Sequence, residues 1–233
     1  MTVWRMVDPR NPAFAHVTCT GAWSQGQGLC RTCTGSTQRR IPPAIVEWEG
    51  LSGNVGDWTW SLCGACVLLS VDVHRSLARR FSGYKVGPVK IIANKQGVAR
   101  DRGCTTPEEG GMVAQVEHRF YEMWLTKWVH LVPEISTATM AWKCPECGRE
   151  RWEVTGVEIC ESRFDRRKGT LVPAKRKRLP GHGLFVHRGD LDRADFFGVS
   201  EFPGWYLCTD RARDFMRSMK YTNIAFLEYG ALV

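Results

Sequence analysis

The stretch Cys144-Pro-Glu-Cys147-Gly148 decides how this chain is read. Two thiolates three positions apart grip one tetrahedral Zn²⁺ when the backbone turns tightly between them, and a small residue after the second lets amide N–H groups approach the sulfurs. Such a knuckle is half of a metal site, so a second pair must exist elsewhere. Two further Cys-x-x-Cys pairs occur, Cys30/Cys33 and Cys63/Cys66. Ten cysteines scattered at random over 233 residues would produce roughly 0.4 such pairs. Three pairs therefore point to metal binding, and the question becomes which of them share an ion.

The arrangement favoured by spacing and setting is a closed Cys₄ site of Cys30, Cys33, Cys144 and Cys147. Four thiolates leave no position for water or substrate, so such a zinc site is structural and contributes folding energy. Two rivals stay open. Cys144 and Cys147 can be paired with His182 and His187, although the roughly 34 residues between the pairs exceed the usual zinc-finger loop of about 12 to 15. Cys30/Cys33 can also be paired with Cys63/Cys66 at ribbon-like spacing. Against this, Cys66 runs straight into Val67-Leu-Leu69 and reads as a small apolar residue opening a buried strand. A redox role would need a pair at a helix N-terminus, a setting that none has. Cys19, Cys104, Cys160 and Cys208 have no partner at ligand spacing and read as ordinary thiols.

Outward from the knuckle, Thr137 to Lys143 reads as one arm of a ribbon hairpin, and Val113 to Leu131 is rich in aromatic and β-branched residues. Residues 49–93 and 190–229 can be laid over each other, each as strand, helix, strand. Val73, Leu77 and Phe81 recur at i, i+4, i+8; Ala212, Phe215, Met216 and Met219 recur at i, i+3, i+4, i+7. Asp72 and Asp210 sit at the helix starts, where a carboxylate meets free N–H groups and the positive end of the dipole. Ser82-Gly83 is expected to end the first helix. The expected fold is α+β, with two related strand-helix-strand halves, 1–111 and 112–233, joined through a split zinc-ribbon-like Cys₄ site. Residues 94–111 and 161–190 read as loops.

The N-terminus lacks an apolar export signal and no run approaches 18 apolar residues, so a cytoplasmic protein away from the membrane is expected. Of the net charge of +8, most falls between Glu161 and Asp190, with nine basic residues against three acidic ones. Arg166, Arg167, Lys168, Lys175, Arg176, Lys177 and Arg178 are candidate contacts for an anion or a partner. Nucleic acid is one such partner, although only Phe164 supplies an aromatic surface within that cluster. An acidic protein matches the charge equally well. The chain contains no phosphate-binding Gly-rich loop, no His-Glu-x-x-His and no Gly-x-Ser-x-Gly, and it reads as non-enzymatic.

The sequence resembles the bacterial double-CXXCG motif family, in which two such knuckles lie far apart in a chain of similar length. The resemblance rests on Cys30-Arg-Thr-Cys33 and Cys144-Pro-Glu-Cys147-Gly148, on Ile45-Val-Glu-Trp-Glu49, Gly56-Asp-Trp58, Phe81-Ser-Gly83 and Gly87-Pro-Val89, and on Asp195-Phe-Phe197 with Thr209-Asp-Arg211. It implies a structural zinc ion and a cytosolic immunity protein that binds and neutralises a protein toxin delivered by kin. Thr34 stands where the family pattern has glycine, and the basic cluster around Lys175 to Arg178 matches no family motif.

Overall fold

Short runs of β-branched and aromatic residues, many of them apolar on both faces, make this chain mostly strand. A computed structural model describes residues 1–11, 13–20, 30–33, 43–48, 54–61, 66–93, 119–159, 162–165, 167, 170–173 and 177–233. Strands β1 (Thr2–Val7), β2 (Val17–Cys19), β3 (Ala44–Trp48), β4 (Trp58–Trp60) and β5 (Val67–Ser70) precede helix α1 (Val71–Ala78). Then come β6 (Tyr84–Ala93), β7 (Phe120–Leu125), β8 (Trp128–Val129), β9 (Ala138–Lys143), β10 (Glu150–Val154), β11 (Ser162–Asp165), β12 (Thr170–Pro173) and β13 (Leu184–Val186). Strands β14 (Phe196–Val199) and β15 (Tyr206–Thr209) lead into helix α2 (Asp210–Ser218), and β16 (Ala225–Leu232) ends the chain. The fold is thus more β-rich than expected, and segment 161–190, read as loop, carries β11, β12 and β13.

Two six-stranded sheets hold most strands, in the orders β13-β16-β1-β15-β14-β8 and β2-β3-β6-β7-β5-β4. In each, the strands before and after a helix are not neighbours. Strand β7 lies antiparallel between β5 and β6, and β1 lies antiparallel between β15 and β16. The inserted β1 was not foreseen, and it seats the N-terminus in the sheet of the C-terminal strands. The expected boundary between 111 and 112 falls outside the described residues.

Strand periodicity divides the side chains among three cores. Val67 and Leu69 face a central cluster, whereas Leu68 faces the opposite side; Cys208 and Leu207 split in the same way. The central cluster joins Met6, Phe196 and Cys208 of one sheet to Trp58, Trp60, Leu69 and Met123 of the other, with Val73 and Leu77 of α1 and Ala212 and Met216 of α2. Met219, expected on the buried stripe of α2, lies one residue past its end and is exposed. The side-chain caps also differ from expectation. Ser70 Oγ accepts from the Val73 N–H and Thr209 Oγ1 from the Ala212 N–H, one residue before the helices begin. Asp210 is instead turned to β1, accepting from the Thr2 N–H at 2.6 Å and the Trp4 indole at 2.7 Å. Helix α1 ends at Ala78, four residues before Ser82.

The sheets are also stitched by two reciprocal polar joints. At the first, the Trp58 N–H donates to the Thr222 carbonyl, Asp57 accepts from the Thr222 N–H and hydroxyl, and the Trp60 indole donates to the Asn223 carbonyl. At the second, the Asp195 and Phe196 N–H groups both donate to the Ser82 carbonyl. Each joint couples the start of one sheet's β4 or β14 to the turn that follows the other sheet's helix. Backbone crowding explains the glycine there: Gly83 has φ +96°, and a Cβ would collide with the Phe196 carbonyl oxygen.

Burial pushes the Asp210 carboxyl up, but the bonds from Trp4 and Thr2 outweigh it and hold its pKa below the usual range. Its contribution is therefore present above that range and lost as pH falls through the lowered value. Asp210→Ala should cost about 2 kcal/mol at pH 7, and urea melts of variant and wild type should converge in acid.

Candidate metal centre

The ribbon β9–β10 carries the second knuckle at its tip. The Cys144 N–H donates to the Arg149 carbonyl at 2.8 Å and the Gly148 N–H to the Cys144 carbonyl at 3.0 Å, closing the turn. Gly148 has φ +73°, a conformation that other side chains rarely adopt, which explains the glycine of the motif. At the foot of the ribbon, Ala138, Trp152 and Val154 pack on the outer core of the first sheet, so the tip projects from a fixed base.

The first knuckle meets the second there. Cys30 Sγ lies 3.6 Å from Cys144 Sγ, and Cys33 Sγ lies 3.6 Å from Cys147 Sγ. All four sulfurs fall within 4.8 Å of one another. A tetrahedron with metal–sulfur bonds of about 2.3 Å has edges of about 3.8 Å, so the set encloses one ion with little rearrangement. The separations are far too long for disulfides, which need about 2.05 Å, and all four cysteines are free thiols. Cys30 and Cys144 are buried, Cys33 is half-buried and Cys147 is exposed.

Amide groups already point at the sulfurs. The Cys147 and Glu146 N–H groups donate to Cys144, and those of Cys33 and Thr32 donate to Cys30, so the two knuckles use the same N–H···S pattern. The Cys147 amide is the main reason the Cys144 thiol is lowered to about 7, against the opposing effect of burial. For Cys30 the Cys33 amide pulls the pKa down, yet burial and the neighbouring sulfurs of Cys144 and Cys33 prevail and push it up to about 12. One thiolate in this cluster therefore opposes the next. A divalent cation would remove that conflict: Cys30, Cys33, Cys144 and Cys147 would hold it as thiolates, their protons being released.

Glu146, between the ligands of the second knuckle, reaches across to the first. It accepts from the Thr32 hydroxyl at 2.7 Å, the Thr32 N–H at 3.1 Å and the Cys30 thiol at 3.3 Å. The Thr32 hydroxyl, then the Cys30 thiol, hold its carboxyl below the usual range. This polar clasp escaped the sequence reading, because nothing local marks the two middle residues of a knuckle as mutual partners.

Of the rival ligands, Cys66 is buried in the outer core of the second sheet beside Leu68 and Phe120, and Cys63 lies outside the described residues. His182 Nδ1 lies 3.1 Å from the Pro180 carbonyl. Neither Cys66 nor either histidine joins the four-sulfur group. Cys208 is fully buried, and burial pushes its thiol well up. In the basic cluster, Arg166, Lys168, Lys175 and Arg176 lie outside the described residues, while Arg167 and Lys177 are exposed. Arg178 is engaged in the fold: its guanidinium pairs with Glu228 at 2.7 Å and donates to the His182 carbonyl at 2.8 Å. Among the described residues, no helix is long and apolar enough to cross a membrane.

Cys144→Ser and Cys33→Ser should each lose the bound metal and melt well below wild type, whereas Cys66→Ala should retain one equivalent. Elemental analysis with thermal melts checks all three. No protein-family model matches this chain, and no curated protein matches it beyond chance.

Proposed function

We propose that this is a zinc-stabilised, non-enzymatic binding protein of the bacterial cytoplasm that neutralises a cognate protein toxin by direct contact. The observation that carries the reading is the closure of the Cys₄ cluster. Four sulfurs fill the coordination sphere, so the ion acts as a clamp and has no site for a reacting water. Soft thiolates in a tetrahedral set suit zinc among the available divalent metals. The toxin as partner is supported by the resemblance of the two knuckles and the flanking Gly56-Asp-Trp58 and Asp195-Phe-Phe197 stretches to the double-CXXCG family.

The chain is further read as a duplication. The strand orders β3-β6-β7-β5-β4 and β13-β16-β1-β15-β14 agree in sequence and direction, with β3 parallel to β6 as β13 is to β16. The reciprocal joints support a pseudo-two-fold relation, since Trp58 meets Thr222 where Phe196 meets Ser82. Like sulfurs then pair across the axis, Cys30 with Cys144 and Cys33 with Cys147. On this reading one ion on the axis holds both halves in the orientation that the partner meets.

Co-expression with candidate secreted toxins, beginning with any encoded beside this gene, provides the test. The chain should rescue growth and form a complex of fixed stoichiometry, and Cys144→Ser should abolish both. Rescue without a complex, or no rescue at all, would overturn the toxin reading.

A further inference from the structure

The ribbon that carries the second knuckle is only half used by the core. Ala138, Trp152 and Val154 at its foot are packed, but Met140 and Trp142 nearer the tip are 49% and 41% exposed. Neighbouring indoles are tied down: exposed Trp128 donates to the Leu125 carbonyl and half-buried Trp152 to Glu150. Trp142 has no hydrogen-bond partner among the described residues. Its cross-strand neighbour is Arg151, whose only ion pair among the described residues, with Glu153 at 3.4 Å, is exposed and so weak. Arg149, whose carbonyl accepts from the Cys144 N–H, has no acidic partner among the described residues. These three side chains, with Glu150 and Cys33, line a cleft of about 640 Å³.

We infer that this cleft binds single-stranded nucleic acid, with one base stacked on Trp142 and the flanking phosphates held by Arg149 and Arg151. A flat indole sharing one cleft with two guanidiniums matches the mixture of base and phosphate along a single strand, and stacking requires a base face that a duplex conceals. An acidic protein surface would satisfy the guanidiniums but leave the indole without a matching plane. The chain as a whole carries +8, so anionic strands are attracted from a distance.

The described end of the basic segment, Lys177 and Arg178, supports the same occupant. Directly after it, the Leu179 N–H donates to the Gly156 carbonyl just beyond the ribbon at 2.7 Å. Trp142 lies four pairing positions from the foot of the ribbon, about 13 Å at strand rise. Exposed Lys177 thus comes back toward the base of the element whose far end presents the indole.

Fluorescein-labelled dT₁₂ and rU₁₂, titrated with metal-loaded full chain at 50 and 200 mM NaCl and followed by anisotropy, test the inference without any toxin. Both should bind, more weakly at the higher salt; tighter binding of rU₁₂ would identify RNA as the physiological strand, and tighter binding of dT₁₂ would identify DNA. Trp142→Ala should weaken binding about tenfold, while Trp142→Phe, which keeps a stacking face, should stay within a few-fold of wild type. Arg149→Ala/Arg151→Ala should reduce the slope of log affinity against log salt by about 1.4, for two phosphates. Arg217→Ala on α2 should change nothing, and thermal melts show that each variant is folded. Absence of binding by both oligonucleotides at 50 mM NaCl, or affinities untouched by the Trp142 and arginine changes, would overturn the inference. So would binding of poly-glutamate in their place.

Discussion

Four thiols gathered within 4.8 Å, contributed by segments 114 residues apart, impose the condition that the rest of this structure satisfies. Left to themselves they are an unfavourable neighbourhood: amide groups invite negative charge onto Cys144, while burial and adjacent sulfurs keep Cys30 protonated. The same N–H groups become assets once a cation neutralises the set. Glu146 brings the knuckles together through Thr32 by ordinary hydrogen bonds, so part of the convergence is prepared by the polypeptide itself.

That convergence requires a rigid support on each side. On the side of Cys144 it is the ribbon, anchored by Trp152 and Val154 on the outer face of the first sheet. Deeper in, both helices and the inner faces of both sheets share one apolar cluster, and the joints at Trp58–Thr222 and Phe196–Ser82 set the angle between the sheets. Asn223 at φ 56° and Gly83 at φ 96° each stand in the turn after a helix, and at Gly83 the close approach of the Phe196 carbonyl leaves no room for a Cβ. Hydrophobic burial supplies the bulk of the stability and the joints supply the orientation.

Much of this was legible in the residues. The three apolar clusters follow from alternation at Val67-Leu-Leu69 and Tyr206-Leu-Cys208, and the pairing of Cys30/Cys33 with Cys144/Cys147 over Cys63/Cys66 followed from the strand that Cys66 opens. Long-range partnerships were less visible. Thr2-Val-Trp-Arg-Met-Val7 lacks the strict alternation that marks a strand, and its neighbours begin about 200 residues later, at Tyr206 and Ala225. Helix caps slipped by one or two residues because Ser70 and Asp72, or Thr209 and Asp210, are all competent capping types, and only the extended backbone at Ser70 and Thr209 separates them. Basic neighbours disguised β11 and β12, whereas β13 is a three-residue apolar strand, Leu184-Phe-Val186, whose buried ends were passed over because it stands in a Gly- and charge-rich stretch. Glu146 and Trp142 carried no local signal; one acquires its role from the other knuckle, the other from standing beyond the edge of the core.

Zinc K-edge X-ray absorption on the purified full-length protein examines the clamp most directly. The account predicts one zinc per chain, with four sulfur ligands at about 2.3 Å and no oxygen or nitrogen in the inner sphere. A spectrum that demands nitrogen or oxygen donors, or four sulfurs that persist when Cys30 is replaced by serine, would contradict it.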